Sequence, residues 1–297
     1  MKLSVDEFNQ IRKFVQETSG LALTADKEYL VRTRLEPVAT RHRLTSFEEV
    51  VRKLQESNNT LFREEVIDAM TTNETSFNRD GHPFDELRRS ILPRLLRILQ
   101  DRKTNSGIPF PRIRFWSVAA STGQEPYSIA MAILDFLAAN PGTGWTAEHF
   151  WILGTDISDR ALKVARAGLY SDWDVERGVT PQQKSKYFLP RGNQWLISPT
   201  VRKMVEFRKL NVLQSVSDLS GFDMIFCRNL LIYFDEPTRF SVGQKIARSL
   251  NTDGILVLGS SEHLPATFDT TFQRTHFGRT IGFVRFPVIG SDRKPIS

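Results

Sequence analysis

From about residue 113 onward, strand patterns alternate with helical ones, and this alternation limits the possible folds more than any other property of the chain. IRFWSVAA reads as a buried strand and EPYSIAMAILDFLAAN as a helix; FWILGTDIS is the next strand and DRALKVARAGLY the next helix. After an irregular segment come VEFRKLNVL, GFDMIFCRNLLIYF, a helix over about 236–250, GILVLGSS and a final pair of strands around 271–288. Apolar strands joined by crossover helices form a parallel, doubly wound sheet with both faces covered. Such α/β sheets take their ligands in the crevice beyond the carboxyl ends of the strands.

Residues 1–75 carry only helical periods. Ser4 and Glu7 form a capping box ahead of Phe8, Ile11 and Val15, and Gly20 stops that helix. Thr24 is placed to cap a second helix bearing Tyr29, Leu30, Leu35 and Val38. Thr45 with Glu48 opens a third (Phe47, Val50, Val51, Leu54), and Thr60 precedes a fourth (Leu61, Phe62, Val66, Ile67, Met70). A longer helix follows from about residue 84, with Phe84, Leu87, Ile91, Leu95 and Leu96 inside. Residues 171–204 interrupt the later alternation with turn formers, short strand-like pieces (YFL, QWLI) and Trp173, Tyr187, Phe188 and Trp195. We read them as a small inserted β-subdomain, because a structureless loop of that length is uncommon.

Composition narrows the chemistry. The one cysteine, Cys227, excludes an intrachain disulfide and argues against a cysteine zinc site, and the five histidines lack metal-ligand spacing, so no metal is expected. There is neither a secretory pattern nor an apolar run that would span a bilayer, which points to a cytoplasmic protein. The formal charge of +6 predicts an acidic partner. The second helix, with Lys27, Arg32, Arg34, Arg41 and Arg43 against Glu28 and Glu36, is either a solvated basic face or the docking surface.

The candidate site follows from the strand ends. The turn AASTGQEPYS has small residues where backbone N–H groups approach a ligand, but a single glycine, which weakens a dinucleotide reading. Glu125 suits a helix N-terminus, and equally a cationic ligand such as the amino group of a methionine moiety. Asp156, ending the second strand, suits ribose hydroxyls, since Ser158 or Asp159 is the more natural helix cap. Arg228, Asn229 and Tyr233 reach the same crevice. The D/N-P-P-Y/F tetrapeptide of base-amino methyltransferases is missing there.

These pieces together resemble the chemoreceptor glutamate methyltransferases of the CheR type. The matching runs are MTTNETSFNR, WSVAASTGQEPYSIAM, TDIS, LNVL and FCRNLLIYF, in the family's order and over nearly the whole chain. The resemblance implies a Rossmann-like class I methyltransferase sheet over residues 76–297, an all-helical domain over 1–75 and the β-insert. It implies S-adenosylmethionine as cofactor, bound by Asn73, Thr75, Phe77, Arg79, Glu125, Asp156, Ile157, Asn211, Val212, Arg228 and Asn229. Arg79 would hold the substrate carboxylate and Tyr233 would shape the transfer channel, so both count as catalytic. The partner would be the cytoplasmic domain of methyl-accepting chemoreceptors, docked on the basic stretch 25–43 and on the β-subdomain, with no nucleic acid bound, no membrane insertion and a monomeric enzyme. Two departures stand out: Asn78 replaces an aromatic of T-x-F-F-R, which we expect to loosen the linker, and Gln124 replaces an acid. A nucleic-acid methyltransferase and a non-catalytic cofactor-sensing adaptor are the competing readings.

Overall fold

In a computed structural model of the chain, residues 1–286 are described. The first part is a bundle of α1 (Val5–Ser19), α2 (Glu28–Arg41), α3 (Phe47–Gln55) and α4 (Thr60–Met70). Their apolar stripes meet in one core that includes Phe8, Ile11, Leu35, Phe47, Phe62 and Val66. The Ser4–Glu7 capping box and the left-handed Gly20 stop are both present. The α3 stripe of Phe47, Val50, Val51 and Leu54 is buried as expected, whereas parts of α2 and α4 and the α3 cap differ. Val31, not Tyr29, faces the core, and Tyr29 and Leu61 are 57% and 82% exposed. Ser46, not Thr45, caps α3 through the Glu49 N–H; Thr45 instead bonds the Glu49 carboxylate.

The long helix expected from residue 84 is divided into α5 (His82–Glu86), a π-helical turn (Leu87–Ile91) and α6 (Leu92–Thr104). The Leu92 N–H reaches back to the Leu87 carbonyl. Pro93 follows, and it has no N–H to donate, so the regular ladder fails at this point and a widened turn takes its place.

The main sheet holds β1 (Ile113–Ser117), β2 (Phe150–Asp156), β6 (Val205–Lys209), β7 (Phe222–Cys227), β8 (Leu250–Leu258), β9 (Phe272–Phe277) and β10 (Thr280–Arg285). Their order is β6-β2-β1-β7-β8-β10-β9. The first five in that order are parallel, and β10 and β9 add an antiparallel edge. Residues 287–288 of the expected last strand lie outside the described residues. The sheet is flanked by α7 (Gln124–Ala139), α8 (Asp159–Ala167) and α12 (Glu236–Ser249).

The insert begins two positions early. β3 (Leu169–Ser171), β4 (Phe188–Arg191) and β5 (Gln194–Ile197) form an antiparallel sheet in the order β3-β5-β4. It carries short helices as well: α9 (Asp172–Glu176), α10 (Pro181–Tyr187) and α11 (Pro199–Arg202). Ser171 and Thr180 cap α9 and α10 through capping boxes, a helical signal that sits among the turn formers. Among the described residues no helix is long and apolar enough to cross a membrane.

Candidate active site

Strand order reverses at β1, which has β2 on one side and β7 on the other. At the carboxyl ends of these strands lies a cavity with about 870 Å³ of empty space. This is the switch point where an open parallel sheet leaves room for a ligand.

Glu125, in the first turn of α7, faces this cavity. Its carboxylate accepts from the Ser117 hydroxyl (2.8 Å) and from the Arg228 guanidinium (2.9 Å). The Arg228 side chain is 1% exposed and also donates to the Asp80 carboxylate (2.6 Å) and the Arg79 carbonyl (3.0 Å). One buried cation therefore joins the linker to the α7 N-terminus, and the two carboxylates leave the cluster with one net negative charge. A carboxylate has about four acceptor positions, so Glu125 can still bind an ammonium.

Asp156 ends β2 and is buried. One oxygen accepts the Ser121 N–H (2.8 Å) and the other the Ser158 N–H (2.9 Å). Burial pushes its pKa up, while those backbone N–H groups oppose the shift. Ser158 caps α8, as its spacing requires. In the turn after β1, Ala119 and Ser121 line the cavity; Gly123 does not. Gly123 has φ +96°, and a Cβ there would meet Ala165 of α8 at 2.9 Å. The glycine is needed for helix packing rather than for the ligand.

Beyond β7, Asn229 takes a left-handed conformation (φ 57°), as does Ser121 (φ 50°) across the cavity. Side chains rarely adopt this region, and such residues cluster at functional sites. A residue outside every motif fixes Asn229: the Glu262 carboxylate accepts the N–H groups of Asn229 (2.6 Å), Gly259 (2.8 Å) and Ile232 (3.3 Å). Only a carboxylate shortly after a strand end could have pointed to it from sequence.

The opposite wall comes from the N-terminal part. Ser19, Leu21 and residues 71–75 line the cavity with Arg79. Backbone pairing holds them: the Ala22 N–H donates to the Tyr233 carbonyl (2.9 Å), and Leu21 bridges Phe234. The Asn211 amide donates to the Thr18 carbonyl (2.6 Å). Arg34 departs from the docking expectation. Its guanidinium is half-buried on the carbonyls of Met70 (2.6 Å) and Thr71 (3.1 Å) and the Thr72 hydroxyl (3.0 Å). Lys27 and Arg41 also have partners, Asp26 and Glu65.

The cavity thus brings together Asn73, Thr75, Arg79, Glu125, Asp156, Ile157, Asn211, Val212, Arg228, Asn229 and Tyr233. Phe77 is not among them. It is fully buried, edge-on to Tyr170 (4.9 Å) and Phe188 (5.3 Å), so it anchors the linker on the insert. Nor does Asn78 loosen the linker. Its N–H donates to the Ser128 hydroxyl (2.9 Å), and its amide to the Gly178 carbonyl (2.8 Å) and Gln183 (3.0 Å). Its φ of 47° suits Asn better than an aromatic.

Comparison with known proteins gives two family matches. Residues 6–71 match the CheR methyltransferase all-alpha domain, and residues 73–281 match the CheR methyltransferase SAM binding domain. Chemotaxis protein methyltransferase 1 of Pseudomonas aeruginosa is 40% identical over 87% of this chain and 90% of its own. Chemotaxis protein methyltransferase Cher2 of Pseudomonas putida is 38% identical over the same shares. Chemotaxis protein methyltransferase 1 of Vibrio cholerae is 37% identical over 90% of this chain and 92% of its own.

Proposed function

The chain belongs to the CheR methyltransferase family, and on that premise we propose that it transfers a methyl group from S-adenosylmethionine to glutamate side-chain carboxylates of chemoreceptors. The products are glutamate methyl esters and S-adenosylhomocysteine. It is an S-adenosylmethionine-dependent methyltransferase of chemotaxis. Neither the nucleic-acid reading nor the adaptor reading is favoured by its relatives.

The residues present fit the cofactor. Glu125 has acceptor capacity left for an amino-acid ammonium, and Asp156 can take ribose hydroxyls, with its charge raised in cost by burial. Ile157, Leu210 and Val212 offer an apolar slot for a purine, and Asn73, Thr75, Asn211 and Asn229 supply polar groups around it. Arg228 acts through Glu125, which it holds in place. Bound there, S-adenosylmethionine supplies a methyl group activated on a sulfonium. No metal is needed.

One observation carries the choice of acceptor. The titratable side chains lining the cavity are Glu74, Arg79, Glu125, Asp156, Arg228 and Tyr233; no His, Lys or Cys lines it among the described residues. An amine or hydroxyl acceptor has to lose a proton, and the carboxylates in the cavity are already engaged: Glu74 by Arg177, Glu125 by Ser117 and Arg228, and Asp156 by backbone N–H groups. A glutamate with a reference pKa of about 4.3 instead arrives ionised. Catalysis then rests on positioning. Arg79 donates to the Glu74 carbonyl (2.9 Å) and keeps further N–H groups for the incoming carboxylate. Too tight a pair would blunt the nucleophile, so its part is orientation. Tyr233 shapes the passage opposite. Residues 1–75 serve docking through the stretch 25–43, with the small antiparallel sheet as another contact; residues 76–297 carry catalysis, and the enzyme acts as a monomer in the cytoplasm.

Incubation with labelled S-adenosylmethionine and a receptor cytoplasmic fragment tests this. Base-labile label on the receptor is the expected result. Base-stable label, label on oligonucleotides, or no label on any protein overturns it.

A further inference from the structure

A second trough lies beside the active-site cavity, between the 259–268 loop and the β9–β10 hairpin, with about 1240 Å³ of empty space. It exists because the connection from β8 to β9 carries only one short 3-10 turn, Ala266–Phe268, in place of a helix that would cover the sheet. Its floor is apolar. Phe268 and Phe272 are buried with ring centroids 6.2 Å apart, Phe272 and Phe283 are 6.5 Å apart, and Leu264, Ile281 and Phe283 stay half-exposed.

Its rim is cationic. Arg274 stands opposite Phe283 in the hairpin register, and Arg279 is at the turn; both are exposed. Among the described residues neither guanidinium has a hydrogen-bond or ion-pair partner. The rim acids are Asp269 and Glu262, and the Glu262 carboxylate is already engaged with backbone N–H groups. His82 and His263 complete the lining. The trough adjoins the active site without sharing a lining residue with it: Glu262 lines the trough while bracing Asn229 of the active-site cavity, and His82 closely follows the Arg79–Asp80 segment that Arg228 holds.

Resting on the function proposed above, we propose that this trough is a second substrate-docking surface, which takes the acidic amphipathic helix bearing the reacting glutamate. The apolar floor accepts the helix's apolar stripe, in the manner of a helix laid in a groove. Arg274 and Arg279 pair with carboxylates flanking the modified position. On the other side of the site Arg34, Arg41 and Lys27 of the basic stretch have partners, while Arg32 and Arg43 are exposed without a side-chain partner among the described residues, so the trough would add to that docking face.

The test uses the full chain carrying Arg274→Glu and Arg279→Glu together. Both positions are exposed and have no side-chain partner among the described residues, so the fold should be retained, and a melting curve checks it. Initial methylation rates are measured against receptor-fragment concentration, and S-adenosylhomocysteine affinity by calorimetry. The apparent KM for the receptor fragment should rise about tenfold, the scale of two lost charge pairs turned repulsive, with S-adenosylhomocysteine affinity unchanged. An unchanged KM overturns the docking surface, as does an equal loss in cofactor affinity, which would mean a distorted site. A chain ending at Phe286 and carrying the same two substitutions is the companion: its KM should rise as it does in the full chain, and a rise that vanishes once residues 287–297 are removed would assign the two arginines to the protein's own C-terminal segment and overturn the proposal. If the wild type forms no base-labile ester, the reading of function falls and this one with it; if it does and the variant matches it, only the docking surface falls.

Discussion

The two walls of the active-site cavity are built in opposite ways. The floor comes from strand ends: Asp156 closes β2, Asn229 lies two residues past β7 and Glu125 eight past β1, and each is held by bonds to backbone groups or to buried side chains. The roof comes from the N-terminal bundle and linker; the Ala22–Tyr233 backbone bond and side-chain bonds such as Asn211 to Thr18, Gln16 to Asp235, Ser121 to Asn73 and Lys209 to Glu64 tie it to the floor, and Arg34 ties α2 to residues 70–72 within it. A preorganised floor sets the chemistry. The bundle part of the roof is held to the floor mainly by polar contacts near solvent, which are easier to open than the buried strand ends, and this suits entry and release.

Arg79→Ala offers the largest test of that division. Arg79 reaches the cavity from the roof side but is assigned to the acceptor, so turnover should fall about a hundredfold with little change in S-adenosylhomocysteine affinity by calorimetry; equal losses would move Arg79 to cofactor binding. Glu125→Gln keeps the shape and removes the floor's charge. It should weaken cofactor binding by about 2 kcal/mol, roughly thirtyfold, measured the same way. Arg34→Ala removes the three bonds on Met70, Thr71 and Thr72. Cofactor affinity measured without receptor should drop about fivefold to tenfold, and an unchanged affinity would return Arg34 to a docking role. Gly20→Ala forces a Cβ to within 2.9 Å of the Phe234 ring at φ +78°. It should lower the melting temperature by a few degrees, about 1 kcal/mol, and loosen cofactor binding less than Arg34→Ala does.

The smallest effect lies at the seam between the walls. Burial raises the pKa of Asp68 on α4, and Asp68 in turn helps to raise that of Asp156. An acid with a raised folded pKa takes up its proton sooner in the folded state, so its penalty is full at neutral pH and fades as pH falls through the folded value. Asp68→Asn should therefore stabilise the chain slightly at pH 7, and its advantage should shrink toward acid pH in thermal melts. A pH-independent difference would break the assignment.

The same contrast explains what could be read in advance. Strand-end motifs are contiguous, so WSVAASTGQEPYS, GTDIS and CRNLLIYF announced Glu125, Asp156 and Asn229 through local patterns alone. The parallel sheet and the helical bundle were legible for the same reason, as periods of burial along one segment. Contacts between distant segments leave no such trace. Nothing local marks Leu21 as a neighbour of Phe234, Arg34 as the clamp on residues 70–72, or Glu262 as the brace of Asn229. Phe77 misled because an aromatic in a motif reads as a ligand contact, whereas Tyr170 and Phe188 of the insert bury it.

The pairing of Ala22 with Tyr233 also bears on how the chain is assembled during synthesis. The bundle has mainly local contacts and can form as soon as its helices emerge, whereas the Leu21–Ala22 segment between α1 and α2 has no partner until residues 233–234 are made. Long-range closure of this kind is slow because it fixes a large loop late. The roof thus closes only after the strands that form the floor have been made, and a cofactor that touches both walls would hasten that closure as well as serve turnover.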